Sequence, residues 1–174
     1  ELVKALLVRA ADPNARIKRD FPPYDNTLFG HTLGNNLPQI SLVGATPFLL
    51  AAASGDVTAM RILVEGRADP RATTSEGAPA WLIAAGMGAE KGRRKEKDAI
   101  EALKVALDFA PDRKAAPNAA IDGDGRTAAH AASFQGWGEM LEYLASQGAN
   151  LDAKDKYSQT PLSIALGDPD RKST

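Results

Sequence analysis

The sequence predicts an all-α solenoid, a row of short helical hairpins stacked side by side, with about three full units and a partial unit at each end. Three observations predict it. A phrase of the form Gly-x-Thr-Pro-x-x-x-Ala-Ala recurs, and the intervals from Gly44 to Gly77 and from Gly125 to Ser158 are both 33 residues. A second apolar phrase follows each copy, with its residues three and four apart, the spacing of one helix face. Each hairpin is too small to bury its own apolar face, so only stacking makes a continuous core, and a fixed period of this size marks such an array.

The elements follow in order. Residues 1–15 carry Val3-x-x-Leu6-Leu7 running into Ala11-Asp12-Pro13-Asn14, the second helix of a unit whose first helix is absent. Residues 16–43 form a long insertion in the first finger loop, because Asp12 to Gly44 spans 32 residues where Asp69 to Gly77 spans 8. Phe21-Pro22-Pro23-Tyr24 and Leu28-Phe29-Gly30-His31 make this insertion unlike a solvating linker. A flap that grips a partner and a flap that only covers the stack are both open for it.

The unit 44–76 opens with Gly44-Ala45-Thr46-Pro47-Phe48-Leu49-Leu50-Ala51-Ala52. Thr46 can cap orphan amides and Pro47 tolerates the first helical position. Gly55 breaks the first helix, and Met60-x-x-Leu63-Val64 carries the second into Ala68-Asp69-Pro70. The unit 77–124 opens with Gly77-Ala78-Pro79-Ala80-Trp81, where the Thr-Pro start is degraded, and Trp81 in a Leu slot reads as core. It carries extra residues around Lys91–Asp98 and in the finger Ala115–Asp124, with a helix expected over Asp98–Phe109. The basic run Lys91-Gly92-Arg93-Arg94-Lys95-Glu96-Lys97-Asp98 is short and mixed with acids, so it reads as a solvated turn rather than a phosphate-binding patch. The unit 125–157 opens with Gly125-Arg126-Thr127-Ala128-Ala129-His130-Ala131-Ala132, is broken by Gly136, and closes on Gly148. Residues 158–174 carry Thr160-Pro161-Leu162, a first helix whose second is absent. Open ends of this kind are expected of a fragment, or of the ordered part of a longer protein, with half-unit caps as the alternative.

Composition excludes several function classes. The net charge of −1 gives no general attraction to nucleic acid or anionic membrane. No apolar run reaches the ~18 residues of a membrane span. The absence of cysteine excludes disulfides, thiol catalysis and thiolate metal sites, and leaves the compartment open. His130 stands without a second His or a nucleophile, which is a structural setting. His31 has no evident partner. Asp122-Gly123-Asp124-Gly125 lacks the further acids of a calcium loop and reads as a tight turn. No catalytic, cofactor-binding or metal site is expected.

These phrases resemble the ankyrin-repeat family, whose unit reads G-x-T-P-L-H-x-A-A followed by V-x-x-L-L-x-x-G-A-D. Pro79-Ala80 departs from Thr-Pro, and Arg67 and Ala110 stand where the family prefers Gly. The resemblance implies that His130 ties down loop backbone. It also implies a non-catalytic protein-interaction module, a scaffold or accessory subunit of a larger complex, that binds through its concave face and finger loops. A regulatory or targeting segment of a larger enzyme is the alternative, and a pocket under the 16–43 flap using His31 or Tyr24 is a remote third. Carried over by position, the surface comprises Arg71, Thr73, Thr74 and Glu76 on one finger and Lys154, Asp155, Lys156 and Tyr157 on another. The first-helix positions are Leu50, Ala53 and Ser54, then Ile83, Gly86 and Met87, then Phe134, Gln135 and Trp137. Phe134 and Trp137 suit either an interface anchor or packing. Phe21, Tyr24 and Phe29 join the set through the insertion. The likeness extends to bacterial ankyrin proteins, which are often exported, so an extracytoplasmic location is an expectation alongside the cytoplasm. The expected partner is another protein, with neither nucleic acid nor membrane insertion.

Overall fold

The computed structural model describes residues 1–19, 42–87, 92, 94–120 and 125–167. Among them are α1 (Leu2–Val8), α2 (Pro47–Ser54), α3 (Val57–Glu65), α4 (Ala80–Ala84), α5 (Glu96–Asp108), α6 (Ala128–Gln135), α7 (Gly138–Ser146) and α8 (Pro161–Leu166). The first helices pack in a row, α2 on α4, α4 on α6 and α6 on α8. The second helices make a parallel row, α1 on α3, α3 on α5 and α5 on α7. This is the all-α solenoid that the sequence predicts. Its only pairing of strand type among the described residues is one bridge, Thr73 to Pro79.

Helix starts follow the cap chemistry. Oγ1 of Thr46 accepts the Leu49 amide at 3.5 Å. Oγ1 of Thr160 accepts the Ser163 amide at 3.2 Å, and the Ser163 hydroxyl returns the bond by accepting the Thr160 amide at 2.9 Å. At Thr127 the reciprocal acceptor is Nδ1 of His130, 3.1 Å from the Thr127 amide. Satisfying orphan amides at both ends of the first turn is what fixes these starts. Pro79 supplies no side-chain cap, and α4 spans only 5 residues where α2 and α6 span 8. Gly55 and Gly136 then end α2 and α6 with φ of 74° and 76°, a left-handed turn that glycine enters without steric cost.

The core lies between the two rows. Ala51 and Ala52, Ala84 and Ala85, and Ala131 and Ala132 are all buried, and their small side chains let the helices approach closely. The second helices fill the remaining space with Met60 and Leu63, Leu103 and Leu107, and Met140 and Leu144, each pair three or four residues apart. Phe48 meets Phe109 edge to face at 6.2 Å. The helix expected from Asp98 begins at Glu96, whose carboxylate accepts the Met140 amide at 2.8 Å at the start of α7.

The fingers repeat one turn. The side-chain oxygen of Asp12, Asp69, Asp112 or Asn150 accepts the amide two residues on, at 2.8 or 2.9 Å. Two asparagines staple one finger to the next. Asn14 accepts the Asp69 amide and donates to the Arg67 carbonyl, and Asn118 accepts the Asn150 amide and donates to the Gly148 carbonyl. Arg67 takes a left-handed φ of 68°, as Gly148 does at 88°. Ala110 does not follow the family there: it precedes Pro111, which disfavours helical φ and ψ before it.

The base of the 16–43 insertion is closed. Ile17 pairs with Ala45 and Gly44 through two backbone hydrogen bonds, and Nη1 of Arg16 donates to the carbonyls of Gly44 and Thr73, both at 2.9 Å. Phe21, Tyr24, Phe29 and His31, and the Asp122-Gly123-Asp124 turn, lie outside the described residues.

Candidate protein-binding surface

The C-terminal finger is held by a buried ion pair. The Asp155 carboxylate, buried, accepts the amides of Tyr157 and Gln159 on Oδ1 at 2.8 and 2.9 Å, and Nε of Arg126 on Oδ2 at 3.0 Å. Its backbone pairs with Gln159 and Ser158 as well. Burial alone would raise the Asp155 carboxyl. Hydrogen bonds from the Gln159 backbone, the Arg126 guanidinium and the Tyr157 backbone outweigh it and hold the group below the usual carboxylate range. The ion pair is therefore a fixed strut rather than a surface contact. On it stands Tyr157, 63 % exposed, with its ring 5.9 Å from the Arg126 guanidinium carbon and 5.0 Å from Nζ of Lys156. Such an aromatic side chain has few rotatable bonds to order on binding.

Arg126 was not among the residues that the sequence singled out. It was findable: it follows the finger glycine, where the other units place Ala45 and Ala78, both buried. An Arg in a buried Ala slot needs an acid, and Asp155 in the next finger supplies it. The equivalent of Asp155 in the finger 69–77 is Thr74, which makes the same kind of turn with less charge: its hydroxyl accepts the Ala78 amide at 3.1 Å.

The other expected surface residues divide into two groups. Arg71 and Glu76 are exposed on the finger tip, and Nε of Arg71 donates to the Phe109 carbonyl at 3.2 Å. Thr73 is half-buried, with its carbonyl held by Arg16. Lys154 and Lys156 are exposed, as is Ser54, while Leu50, Ala53 and Phe134 are half-buried. Trp81 is half-buried against the core, with its indole nitrogen shielded from water. In the middle of the stack the first-helix positions are not open. Ile83, Gly86, Met87, Gln135 and Trp137 are all buried, and Trp137 is 6 % exposed.

The cause is local. Gly86 has no side chain, and a Cβ there would fall 2.8 Å from Cγ of Gln135 and 2.9 Å from Cζ3 of Trp137. Both residues occupy the space that the missing side chain leaves, and Nε2 of Gln135 donates to the Gly86 carbonyl at 3.2 Å. Gln135 and Trp137 thus pack within the stack and present little surface to a partner.

Within the basic run, Arg94 departs from the expected solvated turn and points inward. Its guanidinium donates to the carbonyls of Ala52, Ile83 and Ala84 at 2.9, 3.3 and 3.2 Å, and its carbon lies 5.3 Å from the Trp137 ring. These carbonyls belong to the last turns of α2 and α4, where a cation is favoured by the helix dipoles. Burial lowers the Arg94 pKa to about 10. One side chain of the insertion therefore joins the ends of two units and lies against the Trp137 ring.

No group of three or more His, Cys, Asp or Glu side chains placed to hold a metal ion occurs among the described residues. Among the same residues no helix is long and apolar enough to cross a membrane. The architecture and its buttressed fingers define a helical-hairpin repeat protein. More narrowly, the ankyrin-repeat family model matches residues 43–75 and 124–156, and these two segments are ankyrin repeats. Ankyrin repeats are generally protein-interaction modules and are typically non-catalytic. No curated protein matches the chain.

Proposed function

We propose that the chain is a non-catalytic scaffold or accessory subunit that docks on another protein within a larger complex. It forms one array over residues 1–174, divided as the sequence divides it, and engages its partner chiefly through the finger tips. The observation that carries this reading is the C-terminal finger. Buried Asp155 and Arg126 hold a turn that exposes the Tyr157 ring. Preorganising an exposed aromatic in this way lowers the ordering cost of binding and has no use in the core. Arg71 and Glu76 extend the surface onto the finger 69–77.

The test is an affinity measurement with the partner recovered from the native source. Tyr157→Ala should weaken binding at least tenfold, the loss of a hot-spot side chain worth about 1.4 kcal/mol or more, with circular dichroism unchanged. Unchanged affinity for Tyr157→Ala combined with Arg71→Ala would remove the fingers from the interface.

A further inference from the structure

The last finger is tied to α6 through one histidine held in a single tautomer. Nδ1 of His130 accepts the Thr127 amide proton at 3.1 Å, so that nitrogen carries no hydrogen. The ring proton is therefore on Nε2, which donates to the Gln159 carbonyl at 3.1 Å. The Thr127 amide is the backbone of a helix N-cap and cannot turn away. A second ring proton on Nδ1 would point at that amide hydrogen, and only the Thr127 hydroxyl, 2.9 Å off, could receive it. The imidazole is buried, so the charge would also lose its water.

We propose that His130 is an acid-operated catch: its protonation releases the finger 155–159 and α8 from α6, while the units nearer the N-terminus stay folded.

The surroundings leave His130 as the group that titrates. Among the described residues the charged groups that act on it are Asp155 and Arg126, which form an ion pair with each other at 3.0 Å and largely offset one another. The helices packed on α6 add little. Neither α4 nor α8 carries a titratable side chain, nor does the 3-10 turn Ala116–Asn118. On α7, Glu139 and Glu142 are exposed and Tyr143 is half-buried.

Burial holds the His130 pKa below its ordinary 6.5. A histidine depressed on folding stabilises the fold above its unfolded value, and that contribution is lost as pH falls from about 6.5 towards the folded value. Asp155 is shifted downward, so it remains ionised through this window and is not itself the group that responds. Release of α8 would uncover the alanine face of α6, an apolar surface unavailable at neutral pH.

Hydrogen exchange read by mass spectrometry at pH 7.5, 6.0 and 5.0, corrected for intrinsic rates, tests the catch. The opening constant of the amides of Tyr157 and Gln159 should rise up to tenfold for each pH unit lost below about 6.5, as one-proton linkage requires. Amides of α3 should not respond. His130→Leu copies the buried Leu49 and Leu82 at the same place in the other units, and it should abolish the pH response. If His130→Leu does not fold, an NMR titration of His31→Gln, which retains a single imidazole, decides instead. A midpoint below 6.5 that tracks shifts of the Gln159 amide supports the catch. A midpoint at or above 6.5, or an acid response that survives in His130→Leu, overturns it.

Discussion

Replacing Arg94 with Met should destabilise the whole stack, and the structure sets the size of the loss. The guanidinium makes three hydrogen bonds to carbonyls, together about 4–5 kcal/mol if each charged donor contributes about 1.5 kcal/mol net. Its stacking on Trp137 adds about 1 kcal/mol. Against this stands the cost of burying the charge: a fall in pKa from 12.5 to about 10 corresponds to roughly 3 kcal/mol. The balance is a contribution of about 2–3 kcal/mol. Met keeps most of the packing volume. The carbonyls of Ala52 and Ile83 retain the amides of Gly55 and Gly86, so removing Arg94 does not orphan them. Urea unfolding followed by circular dichroism should therefore show a loss near 2–3 kcal/mol for Arg94→Met. Arg94→Lys should recover less than half of it, because a point charge cannot reach three carbonyls of two helices at once. A loss below about 0.5 kcal/mol, the range of ordinary surface substitutions, would mean that Arg94 is solvated and the reasoning wrong.

Three further substitutions have outcomes set by local structure. Trp137→Ala should cost about 3–5 kcal/mol, read in the same unfolding assay, because the ring is enclosed by Gly86 and Arg94. Phe134→Ala, at a half-buried position, should cost clearly less. Arg67→Gly should stabilise by roughly 0.5–1 kcal/mol: it removes ~1–2 kcal/mol of left-handed strain and returns part of that as unfolded-chain entropy. The Asn14 staple reaches only the Arg67 backbone, so the substitution leaves it in place.

The repeating part of this fold was legible because each unit solves the same local problem with the same residues. Finger glycines at 44, 77 and 125 take φ of 81°, 80° and 66°, and Ser158 takes 62° in the same slot. A glycine that recurs at one place in a period therefore reports a backbone requirement. Threonine caps and alanine pairs are equally local, and they gave the helix starts and the close-packed row. His130 belongs to this class, since its partners lie in its own cap and in the next finger.

What was not legible depends on contacts across units. Arg94 sits in a run of basic and acidic residues that looks solvated, and its acceptors lie 10, 11 and 42 residues away. Composition of the run carries no trace of them. Trp137 and Gln135 are conspicuous in sequence, yet their burial is set by Gly86, a residue of another unit. A signal existed in the pairing of a missing side chain with an oversized one in neighbouring units. The finger set fared differently: Arg71, Glu76, Lys156 and Tyr157 are exposed as their position in the period implies. Arg126, which supports Tyr157, becomes visible only when its slot is compared with Ala45 and Ala78.

Site-specific photocrosslinking in the native host bears most directly on the claim that the fingers meet another protein. A photoreactive phenylalanine derivative placed at Tyr157 or Arg71 should give the same discrete adduct, absent when the group is placed at Arg61 or Glu142 on the second helices. Adducts from Arg61 and Glu142 with none from Tyr157 and Arg71 would contradict it.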